Sequence, residues 1–451
     1  MRTVIEGCAV ACVDASGTEH ADGHVVVDGN RIVAVGPGPA PADVRADRVV
    51  DGTGCLATPG LVNTHHHLYQ WATRGLAQNA NLFGWLTELY PVWAGLDADV
   101  VGATAAAGLG WLARTGCTTT TDHLYVFPRD GGDLFAAEVE AARRVGLRFN
   151  PARGSMDLGR SRGGLPPDAV VEDRDAALEA TAAAVDRFHD PAEDSMLRVA
   201  VAPCSPFSVT GDLMRDAAAL ARDRGVRLHT HLAETVEEDE FCRDQFGCSP
   251  AEYVESLGWL GDDVWLAHCV HVDDKTVARF AETGTGVAHC PTSNARLGAG
   301  VAPVPELVQA GVPVGLGVDG SASNEAGAMA TELHAVLLMA RARGGPDALT
   351  ARQALAAGTI GGARCLGRAA EIGSLEPGKL ADLALWRLDG LGHAGIDDPV
   401  AALVLGSTPP LRMLMVDGAV VVEDDELRTA DEDVLAADAA RASRRLLERT
   451  R

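Results

Sequence analysis

Positive charge is scarce in this chain of 451 residues. Lys and Arg number 38 against 63 Asp and Glu, the formal net charge is −25, and only Lys275 and Lys379 are lysines. Proteins that bind nucleic acid neutralise phosphates with basic side chains, and a strongly acidic chain is poorly suited to that role. The composition therefore argues against a polyanionic partner and favours a neutral or cationic small molecule as the ligand.

Long apolar runs and paired cysteines are also missing. No stretch approaches the length of a membrane span, and the first segment, MRTVIEGCAVACVDASG, has no apolar run behind a basic one. The ten cysteines are scattered without paired or zinc-ribbon spacing. We therefore expect reduced cysteines, a cytoplasmic location, no membrane partner and no nucleic-acid partner. A homo-oligomer stays open.

The chain does contain a long alternation of strand-like and helix-like segments. Apolar runs that end in polar residue types are separated by Ala-rich helical stretches such as residues 97–115 and 212–225. Eight such units in series predict an α/β fold, a parallel (β/α)8 TIM-like barrel with its active site at the carboxyl ends of the strands. The runs are CLATPGLVNTHHH, TTTTDHLY, LRFNPARG, LRVAVAPCSPFS, VRLHTHLAE, VWLAHCVH, TGVAHCPTSN and VPVGLGVDGSASN.

Both ends of the chain are rich in strand signals. HVVVDGNRIVAVGPG, residues 24–38, predicts two strands joined at Asp28-Gly29-Asn30, and residues 373–390 and 411–427 also predict strand-turn-strand units. We therefore expect one small β-sandwich domain built from residues 1–57 and 368–451, with a terminal helix in the second part. The barrel would occupy residues 58–367.

Chemistry-bearing side chains end several of the predicted barrel strands. Residues two apart on a strand share a side, so His65 and His67 face the same way after the first run. Comparable positions end the fifth, sixth and eighth runs: His231 with Glu234, His268, and Asp319. Imidazoles and a carboxylate at one barrel end suit one divalent ion with an exchangeable water. Taken singly, each position has a plain alternative, such as a chance histidine cluster or a helix cap.

The motifs PGLVNTHHH, HTHLAE, LAHC, GVDGSASN and GSLEPGKLADL resemble those of the amidohydrolase superfamily over essentially the whole chain. The resemblance is to the mononuclear aminohydrolases, which include guanine and cytosine deaminases. It implies one metal ion, with Zn²⁺ expected and Fe²⁺ as the alternative, bound by four residues: His65, His67, His231 and Asp319. Binuclear members use a lysine from the fourth strand, and this chain has none there, which disfavours a second ion.

The same resemblance implies a hydrolytic deamination. The ion would activate a water, Asp319 would take its proton, and Glu234 would protonate a ring nitrogen of the substrate. His268 would orient the nucleophile and stabilise the adduct before ammonia leaves. The alternative outside enzymology is a non-catalytic scaffold of the same fold, which the complete set of ligands argues against.

Four stretches, VNTHHHLYQ, LFGWLTELYPVW, DHLYVFP and PCSPFS, look most similar to 8-oxoguanine deaminases, which convert 8-oxoguanine to urate and ammonia. Gln70 would meet a purine edge, since an amide both donates and accepts. Guanine deaminases carry an Arg-Phe pair after the fourth strand, whereas PCSPFS keeps Phe207 without the arginine and has Cys204 at the strand end. Trp85 and His123 complete the expected substrate contacts, with core packing as their alternative role. Guanine, isoxanthopterin and an s-triazine are the competing substrates.

Overall fold

The computed structural model describes residues 1–450, which contain nineteen strands and fifteen α-helices. The strands are β1 (Arg2–Ala11), β2 (Glu19–Asp28), β3 (Arg31–Pro37), β4 (Arg48–Asp51), β5 (Cys55–Pro59), β6 (Leu61–Asn63), β7 (His66–His67), β8 (Cys117–Leu124), β9 (Arg148–Ser155), β10 (Ala200–Pro203), β11 (Leu228–Leu232), β12 (Val264–His268), β13 (Gly286–His289), β14 (Val314–Leu316), β15 (Asp319–Gly320), β16 (Leu383–Arg387), β17 (Leu411–Val416), β18 (Ala419–Glu423) and β19 (Glu426–Leu427). The α-helices are α1 (Leu82–Trp93), α2 (Ala98–Arg114), α3 (Leu134–Val145), α4 (Arg174–Phe188), α5 (Gly211–Asp223), α6 (Val236–Phe246), α7 (Pro250–Ser256), α8 (Asp274–Thr283), α9 (Pro291–Arg296), α10 (Val304–Ala310), α11 (Met329–Gly344), α12 (Ala351–Ala356), α13 (Gly362–Cys365), α14 (Pro399–Leu405) and α15 (Glu432–Arg449). Short 3-10 turns span Leu68–Thr73, Arg160–Arg162 and Asp168–Val170, and a π-helical turn spans Ala357–Gly361.

Eight parallel strands close into a barrel, which confirms the predicted fold class. Their order is β6-β8-β9-β10-β11-β12-β13-β14, and Leu316 on β14 pairs with Asn63 on β6 to complete the ring. Each strand lies within one of the eight apolar runs, except that β8 begins one residue before its run and β9 ends one residue after its run. Strands β8 and β9 are buried at every position, as expected when helices cover the outside of a parallel barrel and side chains fill its inside.

Local sequence explains where the covering helices begin. The side chain of Asp97 accepts a hydrogen bond from Val100 N at the start of α2, and that of Thr210 accepts one from Leu213 N at the start of α5. The buried positions of α5 recur at helical spacing: Leu213, Met214, Ala217, Ala218 and Ala221. No helix within residues 1–450 is long and apolar enough to cross a membrane.

Strands from both ends of the chain form one nine-stranded sheet, as the sequence predicts. Its order is β19-β18-β17-β16-β5-β1-β2-β3, and β4 also pairs with β1. Side chains of β2, β3, β16 and β17 share one apolar cluster, so the sheet folds over on itself in the manner of a sandwich. The β2–β3 hairpin turns at Gly29, whose φ of 62° is readily adopted by glycine.

One terminal segment differs from its prediction. Residues 373–382 form a loop instead of a strand, and only Leu380 makes an isolated bridge to Arg31 before β16 begins. The reason is the turn at Glu376-Pro377-Gly378-Lys379, in which Lys379 N donates to Glu376 O at 3.1 Å. The proposed domain boundaries at 57/58 and 367/368 stay a prediction; the first of them falls inside β5.

A buried ion pair joins the terminal sheet to the amino end of the barrel. Arg148, the first residue of β9, donates from Nε and Nη2 to the two oxygens of Asp382 at 2.9 and 3.0 Å, and from Nη2 to Asp417 at 3.1 Å. Its Nη1 donates to the carbonyls of Asp194 and Ser195. All five guanidinium N–H groups are therefore used, which is the condition under which a buried charge is tolerated.

Candidate metal centre and active site

The carboxyl ends of the barrel strands bring the predicted metal-binding residues together. His65 follows β6, His67 lies on β7, His231 lies on β11, and Asp319 lies on β15, which pairs with β7. One nitrogen of each histidine lies within 4.8 Å of the others, and so do the ligand atoms of His65, His268 and Asp319. All of these residues are buried.

The backbone is locally unusual where two of these side chains leave their strands. His268 has a φ of 71° and Asp319 a φ of 61°, both in the left-handed region that residues other than glycine seldom adopt. Such conformations cost free energy and cluster at functional sites, where the surrounding fold holds them in place. They turn both side chains from the strand ends toward the barrel axis, beside His65.

Hydrogen bonds at the far ring nitrogens determine which nitrogens face the centre. Nδ1 of His67 donates to His123 O at 2.7 Å, and Nδ1 of His231 donates to Cys204 O at 2.6 Å. Burial lowers the pKa of both imidazoles below its ordinary value, so each ring is neutral and its Nε2 carries a lone pair. These two nitrogens lie 3.1 Å apart, and two lone pairs at that distance need a cation between or beside them.

Asp319 completes the arrangement. Its Oδ1 lies 3.4 Å from Nε2 of His65 and 3.4 Å from Nε2 of His67. Its Oδ2 accepts from Ser293 Oγ at 2.5 Å and from Ser323 Oγ at 3.3 Å, so the carboxylate is held in one orientation. Nε2 of His65 is buried and has no hydrogen-bond partner among residues 1–450. Three imidazoles and one carboxylate arranged in this way fit a divalent ion such as Zn²⁺.

Glu234 lies next to this centre without joining its ligands. Its Oε2 is 3.4 Å from Nε2 of His268, whose Nδ1 donates to Asn294 Oδ1 at 2.9 Å. Burial, helped by the negative charge of Asp319, raises the pKa of Glu234 well above its ordinary value. The buried carboxyl group therefore holds a proton more readily than a glutamate in water. Glu238 fixes its backbone by accepting from Glu234 N at 3.0 Å.

A narrow cavity of about 30 Å³ lies over these groups. Helix α1 covers it with apolar and aromatic side chains, and strand-end residues form its floor. Its lining consists of His67, Gln70, Leu82, Trp85, Leu86, Tyr90, Tyr125, Cys204, Ser205, Phe207, His231, Glu234, His268, Leu297, Asp319 and Ser323. Three of the four predicted substrate contacts, Gln70, Trp85 and Cys204, are in this set.

The side chains predicted to meet substrate differ in how firmly they are held. Both amide atoms of Gln70 are buried without a partner in the described chain, and a Cβ at Gly320 would come within 1.8 Å of its Oε1. Trp85 Nε1 donates to Ala322 O at 3.1 Å. Burial raises the pKa of Cys204 to about 12, so the thiol is neutral. Gln70 therefore has the polar atoms that a ligand could pair.

His123, the fourth predicted substrate contact, does not line the cavity formed by residues 1–450. Its ring stacks on that of His231 at 4.8 Å between centroids, and its Nε2 donates to Ala202 O at 2.7 Å. Its backbone carbonyl holds His67. The structure thus places His123 inside the histidine cluster, where it packs against one predicted ligand and orients another.

Several residues of the site escaped the sequence reasoning. Asn294 and Ser293 follow the seventh strand in CPTSN and hold His268 and Asp319, respectively. Their polar character at a strand end was the available signal. His229 is buried in the core, and its Nε2 is 2.8 Å from Nδ1 of His65.

The amidohydrolase family profile matches residues 56–421, which include the whole barrel. The chain belongs to the amidohydrolase family. An 8-oxoguanine deaminase from Pseudomonas aeruginosa is 44% identical over 95% of this chain and 95% of its own length. An isoxanthopterin deaminase from an unknown prokaryotic organism is 38% identical over 99% of this chain and 97% of its own.

A solved structure of this amidohydrolase family has the same fold. The crystal structure of an atrazine chlorohydrolase from Arthrobacter aurescens TC1, complexed with zinc, superposes with a TM-score of 0.93 at 34% identity. The superposition covers 98% of this chain and 100% of that chain. The similarity therefore extends over the terminal sheet as well as the barrel.

Proposed function

We propose that this protein is a metal-dependent hydrolytic deaminase that converts 8-oxoguanine and water to urate and ammonia. The observation that carries the chemistry is that three imidazoles and a carboxylate lie together beside the buried carboxyl of Glu234, whose pKa is raised. The 44% identity to the 8-oxoguanine deaminase of P. aeruginosa supports the choice of purine. In this proposal one ion, Zn²⁺, is bound by four residues: His65, His67, His231 and Asp319.

The chain's own groups move the protons. When bound, the ion would lower the pKa of a water so that hydroxide, the nucleophile, could form near neutral pH. Asp319 would accept the proton lost by the attacking water, and Glu234, whose pKa is raised by burial, would donate a proton to the ring nitrogen beside the amino-bearing carbon. Asn294 holds Nδ1 of His268, which directs Nε2 toward the reacting carbon to orient the attacking oxygen. A proton returned to the amine lets ammonia leave.

The cavity walls suit a flat, uncharged heterocycle. Trp85, Phe207 and Leu297 offer apolar surfaces, and the residues within 1–450 that line the cavity include no Arg or Lys to pair a phosphate. The free amide of Gln70 can donate to and accept from one purine edge. The neutral thiol of Cys204 makes an apolar contact or a weak hydrogen bond. These features support a free base and not a nucleotide.

The narrow cavity also sets a condition on substrate entry. Its volume is only about 30 Å³, and α1 lies over it. A purine therefore enters only after Leu82, Trp85 and Leu86 of α1 have moved outward. Because a ribose would prevent that helix from returning, we expect nucleosides to be poor substrates.

The test is steady-state kcat/KM for ammonia release from 8-oxoguanine, guanine and isoxanthopterin, with 8-oxoguanosine as the size control. We expect 8-oxoguanine to have the highest value and the nucleoside to be inactive. A higher kcat/KM for guanine or isoxanthopterin would show that 8-oxoguanine is the wrong substrate. If no amino-heterocycle releases ammonia, the deaminase proposal itself is overturned.

A variant pair tests recognition by the free amide. Gln70→Ala should lower kcat/KM for 8-oxoguanine by ~5- to 150-fold, because the purine edge then loses a buried hydrogen-bonding partner worth ~1–3 kcal/mol. Gln78→Ala removes an exposed amide from the same loop and should have no effect. Equal behaviour of the two variants would remove Gln70 from the substrate contacts.

A further inference from the structure

We infer that His229 is a positioning residue that fixes the tautomer of His65, so that Nε2 of His65 offers its lone pair to the metal. The inference rests on the proposed metal site and adds a residue outside the set that touches the ion. His229 lies on β11, two positions before His231, and is fully buried.

A chain of hydrogen bonds carries the inference. Nδ1 of His229 lies 2.9 Å from the carbonyl oxygen of Trp265, and its Nε2 lies 2.8 Å from Nδ1 of His65. A carbonyl oxygen only accepts, so Nδ1 of His229 must carry a hydrogen. The ring is fully buried, and its two nitrogens face a carbonyl oxygen and another imidazole, not a carboxylate. A buried charge without an anionic partner is costly, so the ring carries one hydrogen and Nε2 has none.

The location of the second hydrogen follows directly. Since Nε2 of His229 accepts, the hydrogen between the two rings belongs to Nδ1 of His65. An imidazole whose single hydrogen is on Nδ1 has a lone pair on Nε2, and Nε2 of His65 is the nitrogen that lies 3.4 Å from Asp319 Oδ1 in the proposed metal site. The reverse assignment would oppose two lone pairs at 2.9 Å between His229 and Trp265, inside a dry core.

The surroundings hold His229 in this role. Its ring stacks on the indole of Trp265 with 4.5 Å between centroids and an interplanar angle of 17°. The indole Nε1 donates to Thr64 O at 3.0 Å, and Thr64 directly precedes His65. The contacts therefore form a closed loop from Thr64 through Trp265 and His229 to His65, which fixes the ring orientation as well as its hydrogen.

His65 differs in this respect from the other two proposed imidazole ligands. His67 and His231 are held by backbone carbonyls of His123 and Cys204, whose acceptor role cannot change. Only His65 among these three is held by a side chain that could either donate or accept. The lone pair of His65 can therefore be altered by one substitution that leaves every proposed ligand in place.

The first experiment compares zinc transfer to a chromogenic chelator from zinc-loaded, full-length protein. His229→Phe keeps a flat ring for stacking but removes the acceptor, and should weaken zinc binding by ~10- to 100-fold. His229→Gln restores an acceptor oxygen and should recover most of that loss. His289→Phe, which replaces another buried strand histidine, should bind zinc as the unaltered protein does.

The second experiment keeps the inference testable if His229→Phe fails to fold. Long-range nitrogen–proton spectra of the unaltered zinc-bound protein with ¹⁵N-labelled histidine should show hydrogens on Nδ1 of both His65 and His229. A hydrogen on Nε2 of His229, or zinc binding by His229→Phe as tight as in the unaltered chain, would overturn the positioning role alone. Failure of the unaltered chain to bind zinc would overturn the proposed metal site and this inference with it.

Discussion

Two clusters of buried polar groups at opposite ends of the barrel differ in how completely they are hydrogen-bonded. At the amino end, all five N–H groups of Arg148 find acceptors, including both oxygens of Asp382. At the carboxyl end, His65, Glu234 and Gln70 keep buried atoms that have no partner within residues 1–450. Complete hydrogen bonding stabilises a fold, whereas incomplete hydrogen bonding is retained where a ligand supplies the missing partner. One barrel thus separates stability from chemistry along the length of its strands.

A buried carboxyl pair extends the contrast. Asp122, near the carboxyl end of β8, accepts from Leu68 N at 2.5 Å and faces Glu138 on α3. Burial raises the pKa of Asp122 to about 7, and burial together with the charge of Asp122 raises the pKa of Glu138 well above its ordinary value. The pair therefore binds a proton more readily than carboxyls in water do, and no arginine compensates it as Arg148 compensates Asp382.

Removal of one metal-facing imidazole should have the largest effect, because the carboxyl end depends on a cation to complete it. His67→Ala should lose its zinc and show no detectable ammonia release, as measured by elemental analysis and a coupled ammonia assay. The matched control is His66→Asn, since His66 Nδ1 accepts from His67 N at 2.8 Å and an Asn oxygen can do the same. One zinc retained by both variants would contradict the assignment.

The second largest effect is expected for Glu234→Gln. A glutamine cannot donate a carboxyl proton, so kcat should fall by ~10²–10⁴ while zinc content stays at one per chain. Glu240→Gln removes an exposed carboxyl from the following helix and should keep full turnover. Turnover of Glu234→Gln close to that of the unaltered protein would exclude the proton-shuttling role.

A substitution at the amino end of the barrel should lower the stability of the fold and leave turnover unchanged. Arg148→Met leaves the buried carboxylate of Asp382 uncompensated and should lower the free energy of unfolding by ~3–5 kcal/mol, measured from urea midpoints. The kcat of the folded fraction should not change. Lys275→Ala, which breaks an ion pair whose lysine side chain is 80% exposed, should cost less than ~1 kcal/mol. If Arg148→Met loses turnover but keeps its stability, the claim that the amino end serves stability alone is wrong.

The smallest effect should be a pH dependence. Carboxyls titrate near pH 4 when unfolded, whereas the folded pair of Asp122 and Glu138 has raised pKa values and binds more protons. Their contribution to stability is therefore fully present at low pH and is lost as pH rises through the folded pKa values. Glu138→Gln should reduce the stability loss between pH 5 and pH 8 by ~1–2 kcal/mol, and the exposed Glu140→Gln should not. An equal dependence of the unfolding free energy on pH in both variants would show that the pair of Asp122 and Glu138 does not cause it.

The sequence predicted those features that depend on one strand or on the order of strands. Alternation along a strand places His65 and His67 on one side, and the closed barrel then brings His231 and Asp319 to the same end. Contacts across the barrel could not be predicted from the sequence. The contact from His65 to His229 joins the end of β6 to β11, four positions away in the ring, so it depends on register and tilt that no local pattern encodes.

The covering of the site was unpredictable for a related reason. Trp85 lies in a helix whose apolar residues serve equally well in a core or over a cavity, and only tertiary packing decides between them. The pairing of Asp122 with Glu138 likewise depends on how α3 docks on β8. The sequence therefore predicted which chemical groups form the site, but not the contacts that adjust their protonation.

The interleaving of the terminal sheet also governs when the molecule can mature during synthesis. Strand β5 pairs through Pro59 with Leu383 of β16, so the whole barrel must be translated between these two partners. At about 5–20 residues per second, a ribosome leaves the edge of β5 without that partner for tens of seconds. Such an edge invites pairing with other chains. A nascent chain of this protein is therefore most prone to aggregation late in translation, when the barrel is present and its closing strands are still inside the ribosome.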